Sequence, residues 1–181
     1  LGRLNFFEDE IEQYVAGNTT DWFREVIKPG VRQDYDLSIG GGDDRFKYYW
    51  SIGYLDNKNT IVGDEFSAIR TRLNVDFKVT DWLKVGTNAQ ISNRDNSTVP
   101  ASLNISGISP YSSKYDTEGK LKWYPHGYPI ILNPLINHVH QERINKVTGI
   151  FASIYADVDL PFGIHYRLSY QPRFDFEKNY N

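Results

Sequence analysis

The chain has 181 residues, 20 Lys+Arg against 23 Asp+Glu, a formal charge of −3, and neither cysteine nor methionine. A balance this near neutral leaves no polybasic footprint for nucleic acid and no acidic tail, and the absence of cysteine excludes a disulfide framework, a zinc ribbon and a thiol nucleophile. The length suits one domain that buries about two thirds of its unfolded surface, but no apolar run approaches the ~18 to 20 residues of a spanning helix. A chain of this kind that enters a bilayer core must do so as strands. Leu1 is not an initiator and no charged-then-apolar leader follows it, so the sequence reads as a piece of a longer protein.

The first thirty residues carry helical signals. Asn5 with Glu8 three positions on is a capping-box-like pair, and Phe7, Ile11 and Val15 fall on one face before Gly17. The acidic face of Glu8, Asp9, Glu10 and Glu12 reads as plain solvation. A second short helix is predicted from Thr20, with Trp22, Phe23, Val26 and Ile27, stopped by Pro29-Gly30.

After Gly30 the period changes from near four to two. Tyr35, Leu37 and Ile39 oppose Asp34, Asp36 and Ser38, and Phe46, Tyr48, Trp50, Ile52 and Tyr54 repeat the pattern. A third strand sets Ile69, Thr71, Leu73, Val75 and Phe77 against Arg70, Arg72, Asn74 and Asp76. A fourth sets Leu83, Val85, Thr87, Ala89 and Ile91 against Lys84, Gly86, Asn88, Gln90 and Ser92. A fifth alternates from Thr148 to Leu160 against Phe151, Ser153, Tyr155 and Asp157. The sixth sets Ile164, Tyr166, Leu168 and Tyr170 against His165, Arg167, Ser169 and Gln171.

The predicted connections, 40–45, 56–65, 78–82, 93–146 and 161–163, alternate strictly between short and longer. All short turns therefore lie at one end of an antiparallel meander, the asymmetry of outer-membrane barrels, whose tilted strands of ~9 to 11 residues cross the bilayer with apolar-out, polar-in alternation. The fold class expected is all-β: a transmembrane antiparallel β-barrel, of which this chain holds six consecutive strands preceded by short helices. A soluble β-sandwich also has one apolar face per strand, but its strands are shorter and its crossovers break the alternation of loops. Aromatics near strand ends (Tyr54, Phe66, Phe77, Trp82, Phe162, Tyr170, Phe174) suit an interfacial girdle.

Several strings are specific. Gly17-Asn18-Thr19-Thr20-Asp21-Trp22, Asp36-Leu37-Ser38-Ile39 with Gly40-Gly41-Gly42, and Lys47-Tyr48-Tyr49-Trp50-Ser51-Ile52-Gly53-Tyr54-Leu55 are three of them. Arg72-Leu73-Asn74-Val75-Asp76-Phe77-Lys78-Val79-Thr80-Asp81-Trp82-Leu83-Lys84-Val85-Gly86 and Asn133-Pro134-Leu135 complete the set. Together, over about residues 17 to 170, they resemble the start of the barrel in SusC/RagA-type TonB-dependent outer-membrane transporters. Gly40 stands where the family usually has Ser, and Asn59-Thr60 precede Ile61-Val62 where a Gly is common; both departures fall in turns.

The resemblance implies a 22-stranded plugged barrel in the outer membrane of a Gram-negative bacterium. It implies active import of a nutrient, commonly an oligosaccharide and sometimes a peptide, and no enzymatic activity. The partners implied are TonB, through a segment not in this sequence, a SusD-like lipoprotein as lid, the lipid bilayer, and the remaining plug and barrel strands. Residues 1–30 would link plug to barrel, and residues 31–181 would form the first six strands with 93–146 as a long extracellular loop. A passive porin and a soluble carbohydrate-binding sandwich are the alternatives.

Catalytic motifs, a cofactor site and a metal site are not expected. Gly40 to Gly42 lacks the Lys-Ser/Thr and helix of a phosphate cradle, His138, His140 and Glu142 read as loop polar groups, and Asp116-Thr117-Glu118-Gly119 reads as a tight turn. Tyr111, Tyr115, Trp123, Tyr124, His126 and Tyr128 in the long loop are candidates for contact with a sugar or peptide ligand, or with the lid, or for packing the loop. Arg70, Arg72, Asn74, Asp76 and Arg167 are candidates for lining the lumen or gripping the plug, and plug contact is favoured for Arg70 and Arg72.

Overall fold

The computed structural model of the chain describes residues 7–180. Its body is one antiparallel sheet: β1 (Val31–Gly42), β2 (Phe46–Lys58), β3 (Glu65–Lys78), β4 (Leu83–Asp95), β5 (Ile144–Leu160), β6 (Ile164–Tyr170) and β7 (Arg173–Tyr180). Strands β1 to β6 pair in chain order and β7 pairs with β5. There is a single sheet among the described residues, so the sandwich alternative fails: it needs a second sheet to cover the apolar faces.

Strands β6 and β7 lie on one line. Ile154 pairs with Tyr170 and Phe151 pairs with Arg173, so the register steps by three residues on both sides with no slip. The interruption is Pro172, whose carbonyl accepts from the Ala152 N–H at 3.1 Å but whose ring nitrogen has no proton to return. The six expected strands are thus present, and the sixth continues past its expected end to Tyr180. Ladders also run beyond the expected bounds at the long-loop end, leaving loops 59–64 and 96–143, because cross-strand pairing keeps satisfying backbone groups after the apolar pattern stops.

The register sorts side chains into two faces. One face carries rows such as Leu37, Ile52, Thr71, Ile91, Ile150 and Phe174, or Ile39, Trp50, Leu73, Ala89, Ala152 and Pro172. Its large apolar side chains stay open: Leu37 is 65% exposed and Leu168 61%. An apolar face of this size with nothing of the described chain over it is the outer wall of a membrane barrel. The opposite face carries rows such as Asp36, Gly53, Arg70, Ser92, Gly149 and Asp175.

The short turns are built locally. Asp43 closes the first by accepting the N–H groups of Arg45 and Phe46, both at 2.8 Å. The last, Pro161–Gly163, holds Phe162 at φ 69, fully exposed, with Gly163 following at φ 76.

At the other end, the loops and the N-terminal segment make a compact knob. Helix α1 (Glu8–Ala16) and helix α2 (Trp22–Val26) lie against the long loop, which carries α3 (Ile136–His140). Val26, Ala101 and Leu135 form the knob's core, flanked by Ile27, Ile61, Val62, Ile105 and Leu121. Backbone bonds stitch the layers: Lys28 to Thr60, Val62 to Val26, and Ala101 to Val62, each 2.8 or 2.9 Å. The buried Trp22 indole N–H donates to the Ser109 carbonyl at 3.0 Å and the Ser112 hydroxyl at 3.1 Å.

Three details differ from expectation. Asn5 lies outside the described residues, and α1 begins after Phe7, whose N–H donates to Glu10 at 3.0 Å. Helix α2 starts at Trp22, two residues later than predicted, because Asp21 caps it by accepting from the Arg24 N–H. The acidic face of α1 is not plain solvation: Glu10 is buried against His126 and Asp9 pairs with Lys122 at 2.6 Å, while Ile11 and Val15 point outward. The long loop sets Lys122 and His126 opposite the helix, and a buried carboxylate must face a partner.

Leu73→Arg, at the centre of the open apolar face, is expected to lower unfolding stability in lipid vesicles by about 2–4 kcal/mol, whereas Asn88→Arg on the polar face changes it little; urea titration followed by tryptophan emission reads both. Trp22→Phe removes the indole donor from the Ser109 carbonyl, which keeps the Ser112 N–H and hydroxyl, and from the Ser112 hydroxyl, a loss of about 0.5–1.5 kcal/mol, and trypsin should cut 96–143 faster in the variant. The Phe46 and Arg45 N–H groups hold the Asp43 carboxyl below its ordinary 3.8. A group lowered on folding stabilises above its unfolded pKa and loses that contribution as pH falls through the lowered value. Asp43→Ala should therefore lower unfolding stability in detergent at neutral pH, with the gap to the parent protein closing as pH falls below 3.8.

Candidate functional site

Alternation brings Arg70, Arg72, Asn74, Asp76 and Arg167 onto the polar face, where cross-strand neighbours bond to most of them. Arg70 reaches Asp34 at 3.0 Å and Asp36 at 3.8 Å. Arg72 donates to Gln90 at 3.2 Å. Asp76 accepts from the Tyr155 hydroxyl and lies 3.8 Å from the Lys84 ammonium. Arg167 grips Asp157 through two nitrogens, its Nη2 at 2.7 Å, and lies 4.9 Å from the Tyr155 ring centroid.

Two glycines make this wall possible. A Cβ at Gly53 would collide with the Asp36 carboxylate that meets Arg70, and one at Gly86 with the Tyr155 ring that reaches Asp76. Glycine inside a strand often marks such a close approach, and that signal was available in the sequence for both.

The loop aromatics do not form one cluster. His126 is buried, its Nδ1 2.9 Å from Glu10, with the Phe7 ring 5.3 Å away. Tyr111 meets Tyr14 edge-on at 5.2 Å, and Tyr128 meets Phe7 at 5.3 Å. Trp123 stacks on His140 at 5.2 Å and 13°. Tyr115 lies beneath the Lys114 ammonium at 4.8 Å, and Tyr124 is half-buried. Tyr115, Trp123 and Tyr128 are the members left with about half their surface open. Burial opposes the charge on Lys114, but hydrogen bonds to Glu25 and Tyr115 outweigh it and carry the ammonium above its ordinary 10.5.

The remaining candidates are dispersed. His138 Nδ1 faces the Val99 carbonyl at 3.0 Å while His140 faces Trp123, so the two imidazoles diverge. Among the described residues no three His, Asp or Glu side chains converge for a metal. Asp116 accepts the N–H groups of Glu118 and Lys120 at 2.9 and 2.8 Å, closing a tight turn between Tyr115 and Leu121.

Asn133 is a buried residue whose importance its sequence context only hinted at. Its side chain accepts from the Leu135 N–H at 3.1 Å and donates to the Lys114 carbonyl at 3.3 Å, and its N–H donates to the Trp123 carbonyl at 2.7 Å. The Asn-Pro-Leu string thus ties three stretches of the long loop together.

No family model matches the chain. TonB-dependent receptor P39 of Formosa agariphila is 33% identical over 65 residues, covering 35% of this chain and 6% of the receptor. TonB-dependent receptor P26 of the same organism is 24% identical over 162 residues, 87% of this chain and 16% of the receptor. TonB-dependent receptor SusC of Bacteroides thetaiotaomicron is 26% identical over 114 residues, 61% of this chain and 11% of the receptor. Among solved structures, the RagAB peptide importer in its closed-closed state superposes with a TM-score of 0.69 at 20% identity, covering 84% of this chain and 18% of that one. Its open-open state gives 0.68 at 21% identity, covering 83% and 18%. The chain thus spans less than a fifth of the length of these relatives. The sheet with its open apolar face, the charged polar face, and alignments that include SusC itself agree: the chain is similar to the SusC/RagA-type TonB-dependent receptors.

Proposed function

We propose that this chain is an early part of the wall of an active importer in the outer membrane of a Gram-negative bacterium. The cargo is a nutrient too large to diffuse, an oligosaccharide or a peptide, with energy supplied through TonB and a SusD-like lipoprotein covering the outer mouth. The observation that carries this reading is the alignment with TonB-dependent receptors over most of the chain, SusC among them. The peptide is kept as cargo because the solved structures of similar fold are those of a peptide importer.

In this reading residues 31–181 are the first strands of the barrel in this chain, and the long loop 93–146 stands outside the cell. Residues 1–30 lead from plug to wall, and the packing of α1 and α2 on the long loop supports a path across the outer mouth. Tyr115, Trp123 and Tyr128 offer open rings there to ligand or lid, and the polar face looks into the lumen toward the plug. The reading assigns no catalytic step to any residue, and a passive porin remains the rival.

Uptake of labelled oligosaccharide and peptide pools separates the two. In cells deleted for the gene, and equally in cells deleted for tonB or treated with a protonophore, uptake of at least one pool should fall to background. Uptake that persists without TonB but vanishes with the gene would mean a passive pore.

A further inference from the structure

The polar wall carries a few apolar and aromatic side chains, Leu55, Tyr49 and Val147 among them, and Leu55 is buried whereas Phe151 stays open. Phe151 is a large apolar ring on the inner face of β5, in the row Ser38, Ser51, Arg72, Gln90, Phe151 and Arg173, and it is 40% exposed. The Gln90–Phe151 pair stands as a ridge between two grooves. One, about 280 Å³, is lined by Ser92, Arg94, Arg173 and Asp175. The other, about 260 Å³, is lined by Arg72, Asn74 and Asn88.

Charge beside the ridge is uncompensated. Arg70, Arg167 and Arg173 each hold an aspartate, whereas no described carboxylate pairs with Arg72 or Arg94. Arg72 has only the neutral Gln90 oxygen among its described polar partners. An open guanidinium in each groove favours a negatively charged group that it grips through two N–H donors, and an open aromatic face favours the CH face of a ring. Strands lie ~4.8 Å apart, so Arg72 on β3 and Phe151 on β5 are about 10 Å apart at the backbone, a span that a disaccharide and an arginine side chain bridge together.

We propose that the Phe151 ridge is a subsite on the transport path for an anionic saccharide. The sugar ring lies on Phe151, and its carboxylate or sulfate is taken by Arg72 or Arg94. Asn74, Asn88, Gln90 and Ser92 supply hydrogen-bond partners for hydroxyl groups. This rests on the transport reading above and narrows its cargo. It also turns Arg72 from the plug toward the ligand, because the wall's other arginines flanked by aspartate are neutralised within the wall, while these two flank the open ring.

The test uses the full transporter in detergent on an array of neutral, uronate-bearing and sulfated oligosaccharides and of peptides, followed by calorimetry with the tightest anionic glycan. Binding of uronate-bearing or sulfated glycans is expected. The double variant R72Q/R94Q and F151A should each weaken it about 10-fold or more, with F151W retaining it. Heat-modifiable mobility on gels shows that each variant barrel is folded. Capture of neutral glycans or peptides alone overturns the proposal and leaves the transport reading standing. Undiminished affinity in folded R72Q/R94Q overturns it as well, and if those cells also admit large antibiotics, the arginines belong to the plug. Transport itself fails only if nothing on the array binds and the uptake experiment shows no dependence on the gene.

Discussion

In hydrocarbon there is no water to bond to a free amide, and an unpaired backbone group there costs several kcal/mol. Everything else in this chain depends on that constraint. Strand pairs run through registers as long as Val31–Lys58 to Gly42–Lys47 without a slip. Where Pro172 removes a donor, the line of the sixth strand continues on the same register rather than bending away. Among the described residues the outer edges of β1 and of β6 with β7 have no partner strand, and in a SusC/RagA-type barrel such edges are closed by further strands.

Pairing forces the polar face to be chemically complete. Side chains alternate with period two, so each charge excluded from the lipid face is delivered to the inner wall beside its row neighbours. The wall answers with cross-strand pairs such as Arg70 with Asp34 and Arg167 with Asp157, and it spends glycines where a pair needs room. Against that background the exceptions carry information. Phe151, Arg72 and Arg94 are placed by the same ladder, which leaves the ring open and pairs neither arginine with a described carboxylate.

The knob is held by different physics. It lies beyond the apolar band, has its own small core around Val26 and Leu135, and uses buried polar residues where the sheet uses rows. Glu10 with His126, Trp22 with Ser109 and Ser112, and Asn133 with three backbone stretches each join segments distant in sequence. These contacts turn loop and N-terminal segment into one body, and they decide which aromatics remain open.

Period-two alternation made the strands, their two faces and the polarity of each wall legible, because whether a side chain points in or out depends only on its neighbours along the chain. The short-long alternation of loops likewise made the meander legible, and the shared strings of residues 17 to 170 made the family legible. Strand ends were less so: the ladders run past the hydrophobic pattern because backbone pairing needs no apolar side chain. The knob was not legible, since Glu10 and His126 or Asp9 and Lys122 meet only after more than a hundred residues have folded back, and an acidic helical face looks the same whether it meets water or a cation. The sequence by itself determined which residues share the apolar face of the sheet and which the polar face, a matter of local periodicity. Only the tertiary structure decided which inner charges are neutralised, which loop rings are buried and which grooves stay open, because those depend on what the register and the returning loop bring alongside.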